Sequence, residues 1–196
     1  MAGSEECRRI GGVVGTWASI IAGLIIIYVL WAVYAGGVEA AFRPPTLYAM
    51  AGLILSGIFA LLGYIYYAVS ASWHMRRLSP IALGLGALAV VAGYKAGVTV
   101  GGGLVVAAYL VEFLVGYKLY LDFKRDAGSL ATFFLAGVVV FMGGLPFILL
   151  WRPFALVSLV GDAVKVVGLT LILARLYSRG ALPQQPPSYS PGLEPR

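Results

Sequence analysis

Charge is scarce in this chain. Of its 196 residues only 11% are Asp, Glu, Lys or Arg, while 61% are hydrophobic, and the mean hydropathy is +0.93. Soluble domains carry roughly a quarter charged residues, so an ordinary water-soluble fold is excluded. A soluble core of this size could not hide so much apolar surface, whereas lipid can. Cysteine is reduced to one residue, Cys7, which rules out an internal disulfide and leaves the redox compartment open. No lipidation pattern frames Cys7, so it reads as an exposed thiol beside Arg8 and Arg9.

Other absences narrow the chemistry. The one histidine, His74, falls in a polar stretch, Ala71–Ser79, with Trp73, Arg76 and Arg77. That stretch reads as a loop anchored at the membrane interface. One imidazole and one thiol cannot assemble a metal site, and no histidine lies in an apolar run where it could hold a haem. The acids number eight in all, too few for an acid-rich catalytic cluster. Asp122 and Asp126, with Lys124 and Arg125 between them, read as a solvated loop. There is no Gly-x-Ser-x-Gly elbow, no His-Glu-x-x-His, no P-loop and no Rossmann glycine pattern. Neither an enzyme, a cofactor nor a metal is expected. The net charge of +6 is spread over short segments between apolar runs, which argues for membrane orientation and against nucleic acid as a partner.

What is present is a series of apolar runs of membrane-spanning length. They predict an all-α integral membrane protein, a bundle of six transmembrane helices arranged as three in-out-in hairpins. The expected spans cover about 13–36, 46–70, 80–99, 104–121, 129–150 and 154–175. Residues 1–12 form a cytoplasmic N-terminal segment, and 177–196 a disordered, Pro-rich cytoplasmic tail in which Pro186-Pro187-Ser188-Tyr189 could dock to a partner. Gly101-Gly102-Gly103 is the natural break between the third and fourth spans. Ser79-Pro80 reads as a helix cap followed by proline at the first helical position, and Pro153 opens the sixth span in a similar way. Pro146, after Gly143-Gly144, should kink the fifth span.

Orientation follows from the basic residues. With the N-terminus inside, the cytoplasmic side receives Arg8, Arg9, Arg76, Arg77, Lys118, Lys124, Arg125, Arg175 and Arg179, and the other side only Arg43, Lys95 and Arg152. A multi-pass protein of the cell membrane with both termini in the cytoplasm is expected. Two outer turns share an aromatic-Arg-Pro pattern, Phe42-Arg43-Pro44 and Trp151-Arg152-Pro153, which interfacial chemistry explains without an internal repeat.

Three ionisable residues, Glu112, Asp162 and Lys165, sit deep within these runs. A charge at bilayer depth is expensive and normally has a partner, a watery cavity or a task. Asp162 and Lys165 are three apart on one helix and can pair locally, which leaves Glu112 without a basic partner. On the sixth span Ser158, Gly161, Asp162, Lys165 and Gly168 form one small and polar face. The fourth carries Tyr109, Glu112, Gly116 and Tyr120, where Gly116 would admit a neighbouring helix and a tyrosine hydroxyl would donate to a carboxylate. Thr16, Ser19 and Gly23 on the first span, and Tyr48, Gly52, Ser56, Gly63, Tyr67 and Ser70 on the second, form further stripes. Gly93, Gly97 and Gly101 suit close helix contact.

In architecture, six spans with both ends inside is similar to the substrate-binding membrane subunits of energy-coupling-factor vitamin transporters. Their first span carries a small-residue pattern that Ala18 and Ala22 match. The resemblance implies a substrate-binding membrane subunit and carries no functional residue across. Two functions are compatible with the sequence. One is a solute or ion transporter, channel or substrate-binding membrane subunit, with a candidate mid-membrane site of Glu112, Asp162, Lys165 and Tyr109. The alternative is a non-catalytic accessory or scaffold subunit, in which the same charges fix helix packing. The bilayer, further copies of the chain, or subunits of a membrane complex are the partners expected.

Overall fold

A computed structural model describes the backbone of residues 2–181 and the side chains of residues 5–178. The described residues are predominantly helical and contain no strand. Six α-helices follow in order: α1 Ala2–Gly36, α2 Thr46–Tyr67, α3 Ser72–Lys95, α4 Val98–Ala127, α5 Ala131–Gly144 and α6 Phe154–Ala181. Short 3-10 turns at Val38–Phe42, Gly128–Leu130 and Leu145–Leu149 lie between α1 and α2, α4 and α5, and α5 and α6. Five helical segments are long and apolar enough to cross a membrane: Glu5–Gly36, Thr46–Tyr67, Ser72–Lys95, Val98–Leu149 and Phe154–Ser178. The chain is therefore a multi-pass membrane protein.

The helices pack in a ring. The most extensive contacts join chain neighbours, α1 with α2, α3 with α4 and α5 with α6, while α6 closes the ring on α1. The α3–α4 pair touches α2 on one side and α5 on the other much more lightly. A compact block, α2–α1–α6–α5, is thus faced by a pair that stands slightly apart.

Glycine sets how close the strong pairs come. A Cβ on Gly63 would lie 2.3 Å from the backbone nitrogen of Gly15, and one on Gly161 would lie 2.2 Å from that of Phe141. One on Gly168 would meet the backbone of Phe134 at 2.4 Å, and one on Gly137 that of Lys165 at 2.2 Å. Lipid offers no hydrophobic drive for helix association, so packing of this kind holds the pairs together.

Several boundaries differ from those expected. The break between α3 and α4 falls at Ala96–Gly97, and Gly101–Gly103 lie inside α4. Gly97 has φ +105°, a backbone conformation that a Cβ disfavours, so this glycine turns the chain where three consecutive ones do not. Gly101 instead packs on Gly93, where a Cβ would lie 2.4 Å from that residue's Cα. The Gly93–Gly101 contact is therefore internal to the chain. α3 begins at Ser72, not at Ser79, so Pro80 lies inside the helix and His74 belongs to its first turn. The polar stretch stays helical because a membrane helix can extend beyond the bilayer into the interface. α1 takes in the N-terminal segment in the same way. Pro146 does not kink a continuing α-helix: α5 stops at Gly144, and the proline lies in the 3-10 turn that follows. α6 continues to Ala181, and the tail beyond it, with Pro186–Tyr189, lies outside the described residues.

Asp122 and Asp126 do not form a solvated loop. Both are buried near the end of α4. Asp122 accepts hydrogen bonds from the backbone N–H groups of Val69 (3.2 Å), Ser70 (3.0 Å) and Ala71 (3.0 Å). These donors lie between the end of α2 and the start of α3, where helix geometry leaves them unpaired. Asp126 accepts from the Tyr67 hydroxyl at 2.8 Å and pairs with Arg8. Arg8 also donates to the Tyr67 carbonyl at 3.1 Å, at the C-terminus of α2. At the opposite end of α1, Arg152 donates to the carbonyls of Tyr34 and Ala35. Its counterpart in the other aromatic-Arg-Pro turn, Arg43, pairs with Glu39 on the surface, so the two turns serve different ends.

Candidate functional site: an acidic residue facing a central cavity

Because the α3–α4 pair stands off from the block, a partly open cavity of about 280 Å³ lies within the ring. Its wall is largely aliphatic and aromatic, including Ile26, Leu30, Phe42, Met50, Val106 and Phe113. The polar residues reaching it are Ser19 from α1, Tyr64 from α2, Ser79 from α3, Tyr109 and Glu112 from α4, and Lys165 from α6.

Glu112 is exposed, and the helix periodicity shows to what. The lipid-facing stripe of α4 consists of Leu110, Leu114, Tyr117 and Leu121, all exposed. Glu112 is two residues from Leu110, about 200° around the helix, and lies in line with the buried Ala108, Val115 and Leu119. Its accessible surface therefore belongs to the cavity. Among the described residues it has no hydrogen bond and no ion pair within 4 Å. The charges that act on it are those of Lys165 and Asp162.

Asp162 and Lys165 form the expected pair within α6. The Asp162 side chain is fully buried, and it lies against Gly23, where a Cβ would come 3.4 Å from Oδ2. The Lys165 side chain is 13% exposed, and its ammonium sits 5.1 Å from the centre of the Phe141 ring. The trio is therefore split. Asp162 is sealed between α6 and α1, Lys165 stands at the cavity wall, and Glu112 faces into the open space. Ser158 completes the polar face of α6 by donating to the Phe141 carbonyl at 3.2 Å.

Tyr109 lines the cavity but does not donate to Glu112. Its ring meets Phe141 edge-on at 5.0 Å, which directs it toward α5. The tyrosine that does donate to a carboxylate is Tyr67, to Asp126 at the end of the bundle. Gly116 also departs from expectation. Nothing lies within 4 Å of a Cβ placed there, so it brings no helix closer and instead opens space in the cavity wall. Of the second-span stripe, Gly63 and Tyr67 face inward, while Tyr48 is exposed. Tyr64 is a lining residue that the sequence stripes do not include. Its signal is its place beside Gly63, at the closest α1–α2 contact, where Gly15 packs against its ring.

An apolar chamber with one unpartnered carboxyl, beside a lysine already engaged by a second carboxylate, can bind a solute that is mostly apolar and carries a polar or charged group. Comparisons with protein-family models, curated proteins and solved structures find no match to this chain.

Proposed function

We propose that the protein is a small solute transporter, channel or substrate-binding membrane subunit, with no catalytic step of its own, whose site is the central cavity at Glu112. The observation that carries this reading is the exposure of Glu112 into a partly open cavity at the depth of the apolar runs. A carboxyl kept only for packing would be sealed by its neighbours, as Asp162 is. Buried ionisable groups in membrane spans mark substrate or ion pathways when they face a cavity.

The same reading takes the chain as six spans in three in-out-in hairpins, with both termini in the cytoplasm of a cell-membrane protein. The 52-residue segment Val98–Leu149 is far too long for a single crossing, and Gly128, with φ +63°, divides it. α5 with the 3-10 turn after it rises about 30 Å, the thickness of the hydrocarbon layer. The pairing of chain neighbours and the bias of Lys and Arg to one side support the hairpins and their orientation. The accessory or scaffold reading has support of its own in α3, where few residues are buried and Gly84 faces open space.

A cavity-filling variant separates the two. Gly116→Phe adds a ring where there is room for it, so the fold should survive while the chamber closes. Purified gently from its native membrane, the wild type is expected to carry a bound small molecule, detected by mass spectrometry and lost in Gly116→Phe. Identical small-molecule content in both, with other subunits retained in fixed ratio, would contradict the binding role and favour the scaffold.

A further inference from the structure

Resting on that reading of the cavity, we infer that its ligand is a lipophilic cation: a compact apolar or aromatic body bearing one quaternary or protonated amine, which pairs with Glu112. Two acids and one base lie at this depth, and Lys165 is taken up by Asp162. The charge left facing the chamber is the carboxylate of Glu112. An anion would add a third negative charge to a site whose one base, Lys165, is already paired with Asp162. A cation adds none.

The rest of the wall suits the rest of such a molecule. Phe42, Tyr64, Tyr109 and Phe141 line the chamber, and aromatic faces attract ammonium groups. Phe141 already holds the Lys165 ammonium in this way, at 5.1 Å. Strongly hydrated metal ions are poorly served, because they require several oxygen ligands and Glu112 has no second carboxylate beside it in the chamber. An apolar body, by contrast, is matched by the aliphatic lining, as in most small-molecule sites.

Three probes of similar shape test the assignment in nanodiscs: radiolabelled benzyltrimethylammonium, its neutral carbon isostere neopentylbenzene, and benzenesulfonate. The cation is expected to bind the wild type, to be displaced poorly by the other two, and to bind about 30-fold or more weakly to Glu112→Gln. Glu112→Asp, which keeps the charge, should retain the preference. Equal displacement by the neutral isostere, or cation binding that Gly116→Phe abolishes and Glu112→Gln leaves intact, would overturn the cation assignment while the ligand cavity stood. Preference for benzenesulfonate would overturn it in favour of Lys165 as the operative charge. Absence of cation binding from a wild type that still carries a small molecule lost in Gly116→Phe would overturn the ligand class alone. Absence of both would remove the cavity reading with it.

Discussion

Asp122→Ala is expected to be among the most destabilising single substitutions in this chain. The carboxylate accepts from three backbone N–H groups at the α2–α3 junction, and its side chain is wholly buried. Truncation leaves the buried Ala71 N–H without a partner, at about 1–3 kcal/mol, and the part-buried Val69 and Ser70 donors to be met by water at a smaller cost. The loss is then on the order of 2–5 kcal/mol. It should appear as a fall of about 10 °C in the unfolding temperature in detergent. Asp122→Asn keeps one acceptor oxygen and should lose roughly half as much. The junction also positions α3, so Asp122→Ala should loosen the wall of the cavity as well as the fold. If Asp122→Ala unfolded at the wild-type temperature, Asp122 would not be holding this junction.

Gly161→Val should separate α5 from α6. The added Cβ would stand 2.2 Å from the backbone nitrogen of Phe141 and 2.7 Å from its Cα. Backbone cannot turn aside as a side chain can, so the helices must part by more than an ångström along their whole contact. Overpacking of this kind costs about 1–3 kcal/mol and sometimes more. Here it also shifts Asp162, the next residue, away from the Gly23 notch in α1. Gly84→Ala is the matched control. Nothing lies within 4 Å of a Cβ at that position, and alanine is the better helix former. Thermal unfolding of the two variants should diverge clearly, with Gly84→Ala at or slightly above wild type and Gly161→Val well below it. Equal stability would mean that the glycine contact does not set the packing of the pair.

Gly161 and Asp122 differ in how legible their roles are in the sequence. Long apolar runs reveal the membrane helices, and the rarity of charge within them draws attention to Glu112, Asp162 and Lys165. The Asp162–Lys165 pair is readable because three residues is a helical neighbour distance, and the Gly161–Gly168 face because close packing needs glycine at that spacing. Gly116 defeats the same rule. A glycine on an inward face can admit a helix or leave a gap, and only the stand-off of the α3–α4 pair decides which. The Asp122–Asp126 cluster misleads because its charges suggest water, whereas its partners are backbone groups at residues 69–71 and Arg8, Tyr67 and Arg125. Backbone donors leave no mark in a sequence. The α3–α4 turn is hard to place for a related reason: the value of φ at Gly97, rather than the number of glycines nearby, selects the turn.

Whether Glu112 faces a water-accessible cavity inside the ring can be tested with thiols, because the chain contains one cysteine and Cys7→Ser removes it. On that background, Glu112→Cys should react readily with a small, charged methanethiosulfonate reagent in intact membranes, and Gly116→Phe should suppress the reaction. Leu110→Cys, two residues away on the lipid-facing stripe, should react at least tenfold more slowly. If Glu112→Cys proved as unreactive as Leu110→Cys, in protein that is otherwise folded, residue 112 would be sealed in helix packing and the ring would hold no aqueous binding site.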